Sequence, residues 1–150
     1  MSELRELYQE MIIDHGRHPR NFGPLADADH HAEGFNPLCG DRIKLQLKVR
    51  DGRIEDARFE GVGCAISTAS ASLMTEALKG RSEEEVRALF DEFRAMVTGE
   101  GERRGEPPLG KLEVLGGVQE FPSRVKCATL AWHTLLAALE GESSPVSTEG

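Results

Sequence analysis

The sequence predicts an α+β fold, a small antiparallel three-stranded sheet packed against several α-helices. Three observations carry that expectation. Ile43, Leu45, Leu47 and Val49 alternate with Lys44, Gln46, Lys48 and Arg50, which is the period of a strand with one buried and one wet face. Asp51-Gly52 follows at once, the strongest short-range signal for a two-residue hairpin turn. Elsewhere, apolar residues recur at three- and four-residue spacing, the period of an amphipathic helix.

Taken in order, Leu4, Leu7, Tyr8 and Met11 predict a helix over residues 3–15, with Ser2 placed to cap it. Gly16 offers a left-handed cap, and Pro19 disfavours helix at His18. Residues 14–24 then read as a polar, donor-rich surface loop, and a short edge strand is expected near His30 to Phe35. The return strand covers residues 53–60 and turns Ala57 and Phe59 inward. Alternation breaks at Ile54 to Asp56, which predicts a bulge there. Ile66, Ala69, Leu73 and Ala77 define a helix over 66–79 that Gly80 closes. Ser82-Glu83-Glu84-Glu85 is a capping box that opens a further helix with Val86, Leu89, Phe90, Phe93 and Val97 inward. Residues 99–110 form a flexible insertion loop, and Leu112 and Leu115 suggest a short helix beyond it. The last helix, 124–140 with Ser123 as its cap, buries Val125, Trp132, Leu135, Leu136 and Leu139. The Ser/Pro/Glu-rich tail, 141–150, is expected to be disordered. Residues 1–150 thus read as one domain with its core over about 3–140.

Composition narrows the function. Hydrophobic residues make up 39% and charged residues 29% of the chain, as in globular proteins. A net charge of −8 argues against a nucleic-acid backbone or an anionic membrane as partner. No apolar run reaches membrane-spanning length, and Met1-Ser2-Glu3-Leu4-Arg5-Glu6 lacks the apolar core of a secretion signal. Three cysteines are an odd count without a disulfide framework, so a reducing, cytoplasmic setting is expected.

Those cysteines stand at the mouths of elements. Cys39 and Asp41 flank Gly40 just before the alternating strand, Cys64 follows the return strand, and Cys127 falls near the start of the last helix. A hairpin brings its outer ends together, and Cys39, Asp41 and Cys64 belong to those ends. Cys39, Asp41, Cys64 and Cys127 make a set of three thiolates and one carboxylate, which favours zinc, Cu(I) or iron–sulfur species over magnesium or calcium. None of the spacings is CxxC. The competing reading packs Cys64 and Cys127 as small apolar residues. The helix start would favour a thiolate at Cys127. His133, six residues beyond Cys127, is out of line with it and reads as a packing or surface histidine. A zinc hydrolase is a third reading, but no residue stands out as its general base.

Three segments resemble the cysteine motifs of the iron–sulfur scaffold family with the IscU-like fold, which includes the NifU N-terminal domain. They are Asn36-Pro37-Leu38-Cys39-Gly40-Asp41, Gly61-Val62-Gly63-Cys64-Ala65-Ile66-Ser67 and Arg124-Val125-Lys126-Cys127. Asp14-His15 and Pro19-Arg20-Asn21 are similar to the family's N-terminal segment. Within the family the chain looks like the SufU type, because Lys126 stands where IscU-like scaffolds have histidine and the segment between Cys64 and Cys127 is longer. The resemblance implies a zinc site at Cys39, Asp41, Cys64 and Cys127. It also implies a sulfurtransferase-like role: accepting persulfide sulfur from a pyridoxal-phosphate cysteine desulfurase, activating that enzyme, and passing sulfur to downstream iron–sulfur assembly proteins. On this reading Cys39 is the acceptor, and Arg124 is a candidate for docking or for orienting the persulfide. The alternative is a scaffold on which a transient iron–sulfur cluster is built.

Overall fold

Three strands form as the alternation requires. β1 (His30–Asn36) pairs antiparallel with β2 (Asp41–Arg50), and β2 pairs antiparallel with β3 (Arg53–Val62). The computed structural model describes residues 2–37, 40–101, 103–141 and 146–147. Asp51 and Gly52 both take positive φ, 55° and 76°, the geometry of a tight hairpin turn that matches strand twist. The register slips between Lys48 and Val49, where Glu55 is the extra residue between Asp56 and Ile54, at the predicted bulge.

Leu45, Leu47, Ile54, Ala57 and Phe59 point into the core, while Lys44, Arg42 and Glu33 lie on the opposite, wet face. Helices cover the inner face. α1 (Ser2–Arg17) packs on α2 (Ala65–Leu78), and α2 lies against β3. α3 (Glu83–Thr98) opens with the predicted capping box at Ser82 and Glu85 and closes at Gly99. A 3₁₀ helix, Gly110–Glu120, stands where a short helix is expected. α4 (Pro122–Glu140) crosses β1 and β2, and the crossing is close: a Cβ on Gly34 would lie 2.1 Å from Thr134 Oγ1. Trp132, fully buried on α4, stacks on Phe93 at 4.6 Å and on Phe90 at 5.7 Å between ring centroids. Its indole N–H donates to Ser70 Oγ at 3.3 Å, so its one polar atom is satisfied.

Several local expectations differ from the structure, and each difference has a long-range cause. α1 runs through Gly16, which lies in van der Waals range of Ala65 at the start of α2 instead of capping the helix. The donor-rich segment 14–24 keeps Asp14, Arg17, His18 and Pro24 exposed but is docked at three points. His15 is 2% exposed and its Nδ1 lies 2.7 Å from Ser72 Oγ, which also accepts the Arg20 N–H at 2.8 Å. Asn21, at φ 57°, donates to Thr75 Oγ1 and accepts from Lys79. α4 starts from Phe121 with Pro122 in its first turn, where a missing N–H costs nothing, so Ser123 is not the cap.

Residues 99–101 and 103–109 form no helix or strand, yet Arg103 and Arg104 are tied down. The Arg104 N–H donates to Glu92 Oε1 at 2.5 Å, and Arg103 bridges Glu92 and Glu113. Val146–Ser147, within the expected disordered tail, form a two-residue strand β4 parallel to β1, giving the sheet order β3-β2-β1-β4. The rest of that tail beyond Gly141 lies outside the described residues. No helix among the described residues is long and apolar enough to cross a membrane.

Candidate metal centre

The sheet gathers its candidate ligands by register. Asn36 is paired with Asp41, and Arg42 with Val62, so the end of β1, the start of β2 and the end of β3 meet at one edge of the inner face. The Asn36 carbonyl accepts the Gly40 N–H at 2.9 Å, closing the turn between β1 and β2. α2 begins three residues after β3 ends, with Cys64 as its N-cap.

Asp41 is 1% exposed. Its Oδ1 accepts the Cys64 N–H at 2.9 Å, and its Oδ2 lies 3.8 Å from Cys64 Sγ. Cys64 Sγ in turn accepts the Ser67 N–H at 3.4 Å, the position where capping side chains accept from a helix's unpaired donors. A Cβ on Gly63 would stand 3.0 Å from Asp41 Oδ1 and 3.2 Å from Ser67 Oγ, so glycine there leaves the carboxylate its room. Cys127 reaches in from α4 and is 3% exposed.

Ligand atoms of Asp41, Cys64 and Cys127 all lie within 4.8 Å of one another. A tetrahedral zinc sets its ligand atoms roughly 3.3–3.8 Å apart, so small rotations bring this group to coordination distance. Two sulfurs and a carboxylate oxygen form a donor set that suits zinc. The fourth candidate, Cys39, lies outside the described residues; in sequence it directly precedes Gly40, whose N–H donates to Asn36.

The structure moves the helix-dipole argument from Cys127 to Cys64. Cys127 is the sixth residue of α4, past the first turn where the dipole acts, whereas Cys64 caps α2 directly. Arg124 is exposed in the first turn of α4, three residues before Cys127, and its guanidinium stands over the Phe121 ring at 6.0 Å. His133 packs edge-on against Phe90 at 5.4 Å between centroids. Burial and then the nearby Arg94 charge hold its pKa below the usual histidine value.

Sequence reasoning does not single out two neighbours of the site. Ser67 supplies a backbone donor to Cys64, and the side-chain amide of Asn36, 1% exposed, donates to Cys127 Sγ at 3.7 Å. The available signal was position: Ser67 stands three residues after a capping cysteine, and Asn36 stands three before Cys39.

A family model described as "NifU-like N terminal domain" matches residues 7–128. The chain belongs to this family. Among curated relatives, the iron–sulfur cluster assembly scaffold protein IscU of Streptococcus pyogenes serotype M1 is 45% identical over 140 residues, 93% of this chain and 87% of that one. The zinc-dependent sulfurtransferase SufU of Bacillus subtilis strain 168 is 46% identical over 134 residues, 89% of this chain and 90% of that one. The crystal structure of a hypothetical protein matches with a TM-score of 0.83 and 43% identity, covering 91% of this chain and 98% of the other. The family's α+β architecture is therefore the one described above.

Proposed function

We propose that this protein works in iron–sulfur cluster assembly as a zinc-bound sulfur acceptor. The observation that carries the reading is the convergence of Asp41, Cys64 and Cys127 within 4.8 Å at the end of the sheet, with Cys39 two residues before Asp41 in sequence. The likeness to a zinc-dependent sulfurtransferase over nearly the whole chain supports it. Asp41, Cys64 and Cys127 would hold zinc, with Cys39 as the fourth ligand. Zinc bound there keeps the thiols deprotonated and shielded until a partner docks.

Within this reading the chain's own residues divide the work. Asp41 and Cys127 are buried and hold the site in place, while Cys64 is half-buried at a helix N-terminus that favours an anionic group. Cys39 is the acceptor. Its thiolate attacks the terminal sulfur of a cysteine desulfurase persulfide; a new S–S bond forms on Cys39, the enzyme's S–S bond breaks, and the enzyme's cysteine leaves as a thiolate. Arg124, exposed three residues before Cys127 on α4, would dock the partner or face the persulfide's negative charge. The setting is the cytoplasm, and downstream assembly proteins receive the sulfur.

A scaffold role is the second reading, favoured by the likeness to a protein named as an assembly scaffold. The same four residues would then hold iron and sulfide. Purification without oxygen, followed by metal and sulfide analysis, separates the two. One zinc per chain and no visible absorbance supports sulfur transfer. Iron, sulfide and a visible chromophore overturn it in favour of the scaffold.

A further inference from the structure

Asn36, the last residue of β1, touches the metal centre from two sides. Its backbone carbonyl accepts the Gly40 N–H at 2.9 Å, just before Asp41 opens β2. Its side-chain Nδ2 donates to Cys127 Sγ at 3.7 Å, across 91 residues of chain. It is also the register partner of Asp41. One buried residue therefore joins the end of β1, the start of β2 and α4, by its backbone on one side and its side chain on the other.

The other described ligands take their hydrogen bonds from the backbone. Asp41 Oδ1 accepts from the Cys64 N–H, and Cys64 Sγ accepts from the Ser67 N–H at the open end of α2. Cys127 has no such end to draw on. It is the sixth residue of α4, where the surrounding amides are committed to carbonyls one turn back. Its sulfur takes a side-chain donor from another element, Asn36 Nδ2. Sulfur gathered with a carboxylate in a buried site carries excess negative charge, and a donated N–H offsets part of it and fixes the ligand's rotamer.

We propose that Asn36 is the positioning residue for Cys127: its amide orients that sulfur and stabilises it as a thiolate ligand. This rests on the zinc-site reading given above. If Asn36 only straps β1 to α4, its replacement alters stability and leaves the metal's electronic environment alone. If it positions the sulfur, replacement weakens metal binding and changes the sulfur–metal spectrum.

The test uses the full chain with Asn36→Leu, which removes the donor at similar volume, and Asn36→Asp, which sets a carboxylate against the sulfur. Zinc affinity is read by competition with a chromophoric chelator, cobalt(II) substitution reports thiolate-to-metal charge transfer, and melting is followed without metal. Asn36→Leu is expected to weaken zinc by about 10- to 100-fold, and Asn36→Asp further, with a shifted or weakened cobalt charge-transfer band in both. Metal-free melting of Asn36→Leu should stay near that of the parent. Unchanged zinc affinity and cobalt spectrum overturn the proposal. A loss of affinity with an unshifted cobalt band and an equally large fall in metal-free melting, or failure of both variants to fold, also overturns it, leaving a strap. A parent protein that binds neither zinc nor cobalt refutes the zinc reading itself, which is a different result from parent and variants binding alike.

Discussion

Replacing Asp41 separates the two jobs that the structure gives it. One carboxylate oxygen accepts the N–H of Cys64, the capping residue of α2, and the other faces Cys64 Sγ at 3.8 Å. Asp41→Ala removes the acceptor at a site 1% exposed and leaves that N–H without its partner. Losing such a bond costs about 1–3 kcal/mol. For a chain of 150 residues, each kcal/mol is worth roughly 2–4 °C in Tm, so the metal-free variant should melt about 2–12 °C lower. Asp41→Asn keeps an oxygen for the Cys64 N–H and should lose less than about 1 kcal/mol without metal. Both variants lose the anionic ligand, so both should bind zinc more weakly. The assay is a pair of melting curves for each protein, one with chelator and one with zinc. Equal metal-free losses for Ala and Asn would refute the capping argument, and parent-like zinc stabilisation in both would remove Asp41 from the metal centre.

Two further outcomes follow from groups away from the site. Burial, with help from Arg20 and Lys111, holds the pKa of His15 below the usual histidine value, while Glu76 and Asp14 pull it upward. Since the unfolded chain takes up the proton that native His15 resists, this contribution is complete above pH 6.5 and is lost as pH falls toward the native pKa. Equilibrium unfolding across that range should show a flatter pH dependence for His15→Gln than for the parent; equal slopes would contradict the burial account. Glu92, buried on α3, takes the Arg104 N–H and the Arg103 guanidinium, so Glu92→Gln should speed tryptic cleavage after Arg103 and Arg104. An unchanged cleavage rate would show that the segment is not held by this carboxylate.

What could be read from the sequence was local. The Asp51-Gly52 turn, the bulge at Glu55 and the capping box at Ser82 are written in adjacent residues, and all three form. Asp41 and Cys64 could be grouped because a hairpin must bring its ends together, whereas Cys127 joined them only through its chemistry and its motif. What could not be read depends on distant partners. His15 looks like a solvated loop histidine until Ser72, 57 residues away, receives it. Glu92 looks like one more surface acid on α3 until Arg104 folds over it. The Asn36 contact with Cys127 joins a strand to a helix 91 residues on, which no local pattern announces. The start of α4 was misplaced by two residues because Ser123 is the better capping residue, while Pro122 fits the first turn.

The central claim is that Cys39 takes the sulfur while Asp41, Cys64 and Cys127 hold the site. Mass spectrometry after a single turnover with a cysteine desulfurase, without reductant, tests it directly. The account predicts one added sulfur atom on Cys39. It also predicts that Cys39→Ala abolishes both this acceptance and the stimulation of the desulfurase, while keeping part of its zinc. Sulfur found first on Cys127, with Cys39→Ala still accepting it, would contradict the account and move the nucleophile to α4.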